Sequence, residues 1–110
     1  MEINKKKEKD VLIVSVSGRI DAVTAPDFEK NLMESIGAGE KTFLLAMDHL
    51  EYISSAGLRS ILAIAKVLKT KEGKLVFAGL QGPVKDVFKI SGFGSIFTIF
   101  DTEAEALKQL

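Results

Sequence analysis

Hydrophobic positions along this chain change period several times, and each change marks an element. Residues 11–17 read Val, Leu, Ile, Val, Ser, Val, Ser, a β-branched run that is continuous and then alternates, as in a strand covered on both faces over part of its length. Ahead of it Ile3 stands alone among charges and the Lys9, Asp10 pair has turn character, so residues 2–7 are expected to form the antiparallel edge strand of a hairpin. Short apolar runs at residues 43–47 and 75–78 predict two further strands, and residues 96–100 predict a last one.

Between these runs the period lengthens to that of a helix. Thr24, Pro26 and Asp27 supply a capping oxygen, a first-turn proline and an acid at the positive end. Phe28, Leu32 and Ile36 then share one face until Gly37 and Gly39 end the helix. Residues 48–55 read as a loop leading to the most regular helix, whose stripe is Leu58, Ile61, Leu62, Ala65 and Leu68, and which Lys71, Glu72 and Gly73 terminate. Pro83 opens a third helix with Val84, Val87 and Phe88 inward, closed by Gly92 and Gly94. Thr102 and Glu105 have capping-box spacing for a terminal helix packed down by Leu107 and Leu110. A hairpin followed by alternating helices and strands predicts an α/β domain, with a mixed β-sheet of about five strands and about four helices joined by right-handed crossovers.

Length and composition narrow the class. At 110 residues the chain matches one hydrophobic core of about 50 to 200 residues. Its 46% apolar and 27% charged residues separate it from disordered chains. Fifteen basic residues balance fifteen acidic ones, so no broad positive field draws it to nucleic acid or anionic lipid. The basic run Lys5, Lys6, Lys7 and Lys9 is interrupted by Glu8 and Asp10 and reads as edge protection. The absence of cysteine excludes disulfides and thiolate chemistry. No apolar stretch approaches a membrane span and the first residues lack a secretory pattern, so a cytoplasmic location is expected.

Catalytic and cofactor signatures are missing. No segment has phosphate-loop spacing, and Gly92, Phe93, Gly94 follows a helix, where glycines turn the chain. His49 is the only imidazole; its neighbours Asp48 and Glu51, even with Asp21, form no recognisable calcium loop or triad. The expectation is no catalysis, no metal and no cofactor. What remains is Tyr52, Ile53, Ser54, Ser55, Ala56, Gly57, Leu58, Arg59, with two hydroxyls where a buried strand gives way to a helix. One serine suffices to cap that helix. The other stands on an exposed loop beside a positive helix end that tolerates an anion. Gly57 allows close backbone approach, and Arg59 and Ser60 are expected opposite the apolar stripe, free for partner contact.

These residues carry a resemblance to the STAS domain family, the sulphate transporter and anti-sigma factor antagonist fold, in its short bacterial antagonist form. Gly18, Arg19, Ile20, Asp21 with Thr24 and Ala25 is similar to the family's Gly, any, Leu or Ile, Asp segment after the second strand. Tyr52 to Leu58 is similar to its aromatic, apolar, Asp or Ser, Ser, small, Gly, Leu segment before the second helix. The resemblance covers essentially the whole chain and implies one STAS-type domain over residues 1–110. It implies partner switching: the unphosphorylated antagonist binds an anti-sigma factor that is also a serine kinase and frees a sigma factor, phosphorylation reverses this, and a serine phosphatase resets it. The acceptor maps onto Ser55, the following small residue onto Ala56 and the acid that holds the hydroxyl onto Asp21, with Thr24 and Tyr52 at the partner surface. Where well-known antagonists carry an aspartate before the acceptor, this chain has Ser54, a second candidate acceptor. The alternative is a STAS module that is not phosphorylated and senses a small ligand or nucleotide, or scaffolds a signalling complex.

Overall fold

The β-branched run at residues 11–17 becomes the middle of the molecule in a computed structural model that describes residues Met1–Leu110. Strand β2 (Val11–Ile20) has β1 (Glu2–Glu8) antiparallel on one side and β3 (Thr42–Ala46) parallel on the other. Beyond β3 lie β5 (Lys74–Ala78) and β6 (Thr98–Phe100), both parallel, so the sheet runs β1-β2-β3-β5-β6. Helices α1 (Ala25–Gly37), α2 (Ser55–Thr70), α3 (Gly82–Ile90), α4 (Phe93–Ile96) and α5 (Glu103–Gln109) complete an α/β domain.

Both faces of β2 are covered, which is why its pattern is continuous. Leu12, Val14 and Val16 meet Phe28, Leu32 and Ile36 of α1 and Ile61, Ile64 and Leu68 of α2 in the larger core. Val11 and Ile13 point the other way, joining Leu44, Ala46, Val76 and Ala78 beneath Ala106 of α5. The lysines of β1 follow the same alternation. Lys5 donates to Ser35 Oγ at 2.7 Å and Lys7 pairs with Glu40 at 3.1 Å on the α1 side, while Lys6 reaches Glu103 at 3.2 Å on the α5 side. Such exposed pairs contribute about 0 to 1 kcal/mol each, so their main effect is to leave a charged edge that discourages strand addition.

Three expectations need correction. Residues 48–55 are not all loop: they contain β4 (Leu50–Ile53), parallel to the Gly18–Ile20 end of β2. The register steps from Gly18↔Leu50 to Arg19↔Tyr52, passing over Glu51, so burial runs buried, exposed, exposed, buried and loses the strand period. The last strand is shorter than predicted because residues 93–96 form a helical turn. Phe93 is drawn into a chain of rings with Phe88, Phe77 and Phe97, centroids 5.2–5.4 Å apart. Gly94 lies inside that turn, and Gly92, at φ +80°, alone makes the break after α3. Finally, Leu62 is 42% exposed and Ile64 takes its place in the core, while Leu110 stays outside and Ala106 makes the contact assigned to it.

Candidate functional site

Strands β2 and β4 end side by side, and each hands over to a helix. The Ser54 amide donates to the Ile20 carbonyl at 2.9 Å, the last rung before the two chains part. Helix α2 then packs against that rung through Gly57. A methyl group there would lie 2.7 Å from Ile53 Cγ1, 2.8 Å from Ile20 Cγ2 and 3.2 Å from the Ile20 carbonyl, so glycine is required by space. The close approach expected at Gly57 is present.

The two serines divide the work. Ser54 is extended (φ −93°, ψ 174°) and its Oγ accepts from the Gly57 amide at 3.3 Å, capping α2. Ser55 is the first residue of the helix; its side chain is exposed and its hydroxyl makes no hydrogen bond to the protein. Ala56, half-buried, follows it.

Asp21 does not hold the Ser55 hydroxyl, contrary to the expectation. Its Oδ1 is engaged by its own loop, accepting from the Val23 amide at 3.0 Å, the Thr24 amide at 3.1 Å and the Thr24 hydroxyl at 3.3 Å. The Thr24 amide is the main reason its carboxyl sits below the ordinary carboxylate range. Partial desolvation opposes this, and the Val23 amide, the Thr24 hydroxyl and the Arg19 charge assist. Thr24 is also turned inward. It occupies the capping position of α1 in a helical conformation (φ −92°, ψ −20°) without capping it; its Oγ1 donates to the Arg19 carbonyl and accepts from the Asp21 amide, both at 2.9 Å. The apex of this loop is instead Val23, an aliphatic side chain 82% exposed.

Tyr52 and Arg59 are at the surface as expected. The Arg19 guanidinium lies 4.2 Å from the Tyr52 ring centroid, with Nε 3.9 Å from Asp21 Oδ2. Arg59 borders a shallow groove of about 580 Å³ between α1 and α2, whose walls include Ala22, Pro26, Lys30, Met33 and Ala56. Ser60 does not face outward. It is 6% exposed and its hydroxyl donates to the Ala25 carbonyl of α1 at 3.4 Å, because the buried stripe of α2 runs Gly57, Ser60, Ile61, Ile64, Leu68. Val23 and Arg19 escaped the sequence reading. The strand register that puts Arg19 beside Tyr52 was the missing signal, since it required knowing that β4 exists.

Elsewhere, His49 is exposed in the turn between β3 and β4, and no three His, Cys, Asp or Glu side chains converge as metal ligands would. No helix is long and apolar enough to cross a membrane.

This geometry has relatives. BtrV of Bordetella bronchiseptica, described as a candidate anti-sigma factor antagonist, is 37% identical over 106 residues, spanning 96% of this chain and 91% of its own. The anti-sigma F factor antagonist of Paenibacillus polymyxa is 29% identical over 111 residues, spanning 100% and 95%. A crystal structure of a candidate anti-sigma factor antagonist from Thermotoga maritima superposes with a TM-score of 0.92 at 23% identity, covering 97% of this chain and 92% of that one. The STAS domain family model matches residues 2–106, and the chain belongs to the STAS domain family.

Proposed function

We propose that this protein is an anti-sigma factor antagonist working by partner switching, a cytoplasmic binding protein and not an enzyme. Unphosphorylated, it binds an anti-sigma factor that is also a serine kinase through the surface formed by Val23, Tyr52, Ser55 and Arg59, and a sigma factor is released. The kinase moves the γ-phosphoryl group of ATP to Ser55 Oγ. The bond to ADP breaks, a magnesium ion held by the kinase screens the phosphates, and the hydroxyl proton passes to a kinase base. A serine phosphatase returns the hydroxyl by hydrolysis.

One observation carries this reading: of two adjacent serines at the α2 start, Ser54 is committed to the helix and Ser55 to nothing. Esterifying Ser55 therefore removes no bond from the fold. It places about 1.5 to 2 negative charges on the surface beside a positive helix end that accepts them. A partner packed against the neutral hydroxyl then meets a charge, and a hundredfold loss of affinity requires only about 2.7 kcal/mol. The names of the relatives support the same reading.

The test is incubation with the cognate anti-sigma kinase, ATP and magnesium, read by intact mass. One phosphate per chain is expected, absent from Ser55→Ala and present in Ser54→Ala. Unchanged incorporation in Ser55→Ala would place the acceptor elsewhere.

A further inference from the structure

The sheet has two outer edges, and they are built in opposite ways. Strand β1 lines its edge with Lys5, Lys6 and Lys7 between Glu2 and Glu8, the charged composition that keeps a second chain from adding a strand. Strand β6 reads Thr, Ile, Phe, and from Ser91 to Phe100 the chain carries no charged residue. Segments rich in β-branched and aromatic residues and free of charge and proline pair readily with another strand. The one protection that β6 has is its brevity, three residues.

Which way its backbone faces follows from one bond. The Gly79 amide, just past the end of β5, donates to the Phe100 carbonyl at 3.3 Å, so the N–H and C=O of Phe100 face β5. These groups point to the same side within a residue and alternate along a strand, so those of Ile99 face the open edge. No strand lies there. Beneath α5, against this edge, runs a groove of about 770 Å³ whose walls include Lys74, Ile96, Thr98, Glu105, Lys108 and Leu110. Ile96 is 63% exposed, and Leu110 also stands outside the core. Glu105 and Lys108 are three residues apart on α5, yet neither they nor Lys74 enter an ion pair.

We infer that β6 pairs antiparallel with β6 of a second copy about a two-fold axis through Ile99, joining two sheets into one. Ile99 of each copy then exchanges both backbone hydrogen bonds with its counterpart. An axis normal to the sheet keeps α5 of both copies on one face and runs them in opposite directions. Glu105 of each copy is thereby brought toward Lys108 of the other, so the groove is complementary to itself in charge. The formal net charge of the chain is zero, and no long-range repulsion opposes the approach of two copies. Strands β3 and β5 separate β6 from β2, and α2 packs on the face opposite α5, so pairing leaves both Ser55 hydroxyls uncovered. The inference therefore stands apart from the proposed function. With so short a strand the interface is small, and half of the chains are expected to be paired at roughly 10–100 μM.

Sedimentation equilibrium at concentrations spanning that range is the test. The mean mass should rise from 12.0 kDa toward twice that value. Thr98→Lys gives this edge the charge that β1 already has and should weaken pairing about tenfold. Glu105→Lys alone and Lys108→Glu alone each set like charges across the axis and should weaken it as well. An equal mixture of those two variants should pair again, because each then offers the charge that the other lacks. In the parent protein, deuterium exchange of the Ile99 amide should slow as concentration rises, while the amides of β1 keep their rates. Melting curves check that the variants are folded; should a reversal unfold α5, Thr98→Lys and the exchange rates decide alone. A mass of one chain at every concentration would overturn the inference and leave the β6 edge to an extended segment of another protein. Pairing that survives Thr98→Lys and both charge reversals unchanged would overturn it too, by placing the contact on another face. Failure of kinase labelling at Ser55 with pairing intact would count against the proposed function alone.

Discussion

The two helices that meet at the candidate site begin in different ways. At α1, Thr24 and Asp21 turn their oxygens on each other and on the loop, making five side-chain hydrogen-bond contacts within residues 19–24, two of which share the single Thr24 hydroxyl proton. At α2, one serine secures the helix with a single bond and the next projects outward. Both starts have the residue types of a capped helix, yet one is a closed knot and the other keeps a spare hydroxyl. A modifiable group needs a neighbour that makes it structurally unnecessary. Here Ser54 is that neighbour for Ser55, whereas Thr24 has none.

The contrast can be broken in graded ways. The largest effect is expected where the two starts touch. Gly57→Val drives new methyl groups into Ile20 and Ile53 and should lower stability by about 3 kcal/mol, read from the guanidinium midpoint. Thr24→Val keeps the shape but strands the Arg19 carbonyl and the Asp21 amide, for a loss of about 2 kcal/mol. Ser54→Ala removes one cap and should cost about 1 kcal/mol; a loss as large as that of Thr24→Val would show that Ser54 does more than cap.

The effect of pH is smaller and its sign is fixed. Asp21 is held below the ordinary carboxylate range in the folded state, first by the Thr24 amide, so its stabilising share is complete above that range and disappears as pH falls through the lowered value. Denaturation midpoints measured from neutral to acid pH should therefore fall less steeply in Asp21→Asn than in the parent. The smallest effect on stability belongs to Ser55→Ala, within about 0.5 kcal/mol of the parent although it is the variant expected to abolish labelling.

Most of the scaffold was legible because its elements carry their own period. The run at residues 11–17, the Phe28, Leu32, Ile36 face and the proline at the start of α3 each state a local requirement in residue type. What was hidden depends on contacts between segments. The buried face of α2 is turned toward Ile64 and away from Leu62 because Gly57 and Ser60 lie innermost, and a glycine or serine adds nothing to a hydrophobic pattern. Strand β4 was lost to a bulge, and Arg19 with it. At the site itself the Ser54, Ser55 pair could be read as one cap and one spare hydroxyl, but not which was which; the backbone of Ser54 and the position of the Gly57 amide decide it. The Asp21 to Ser55 link came from resemblance and did not survive, since a carboxylate two and three residues ahead of two free amides is taken by them.

The rung between the Ser54 amide and the Ile20 carbonyl has a last consequence. It fastens the segment that carries Ser55 to the middle of the sheet, so under the proposed switch a charge placed on that hydroxyl would act where it stands and need not be relayed through the molecule. Information kept in this way has no spring to relax and no hinge to wear. How long such a message would last would then depend on whatever adds and removes it.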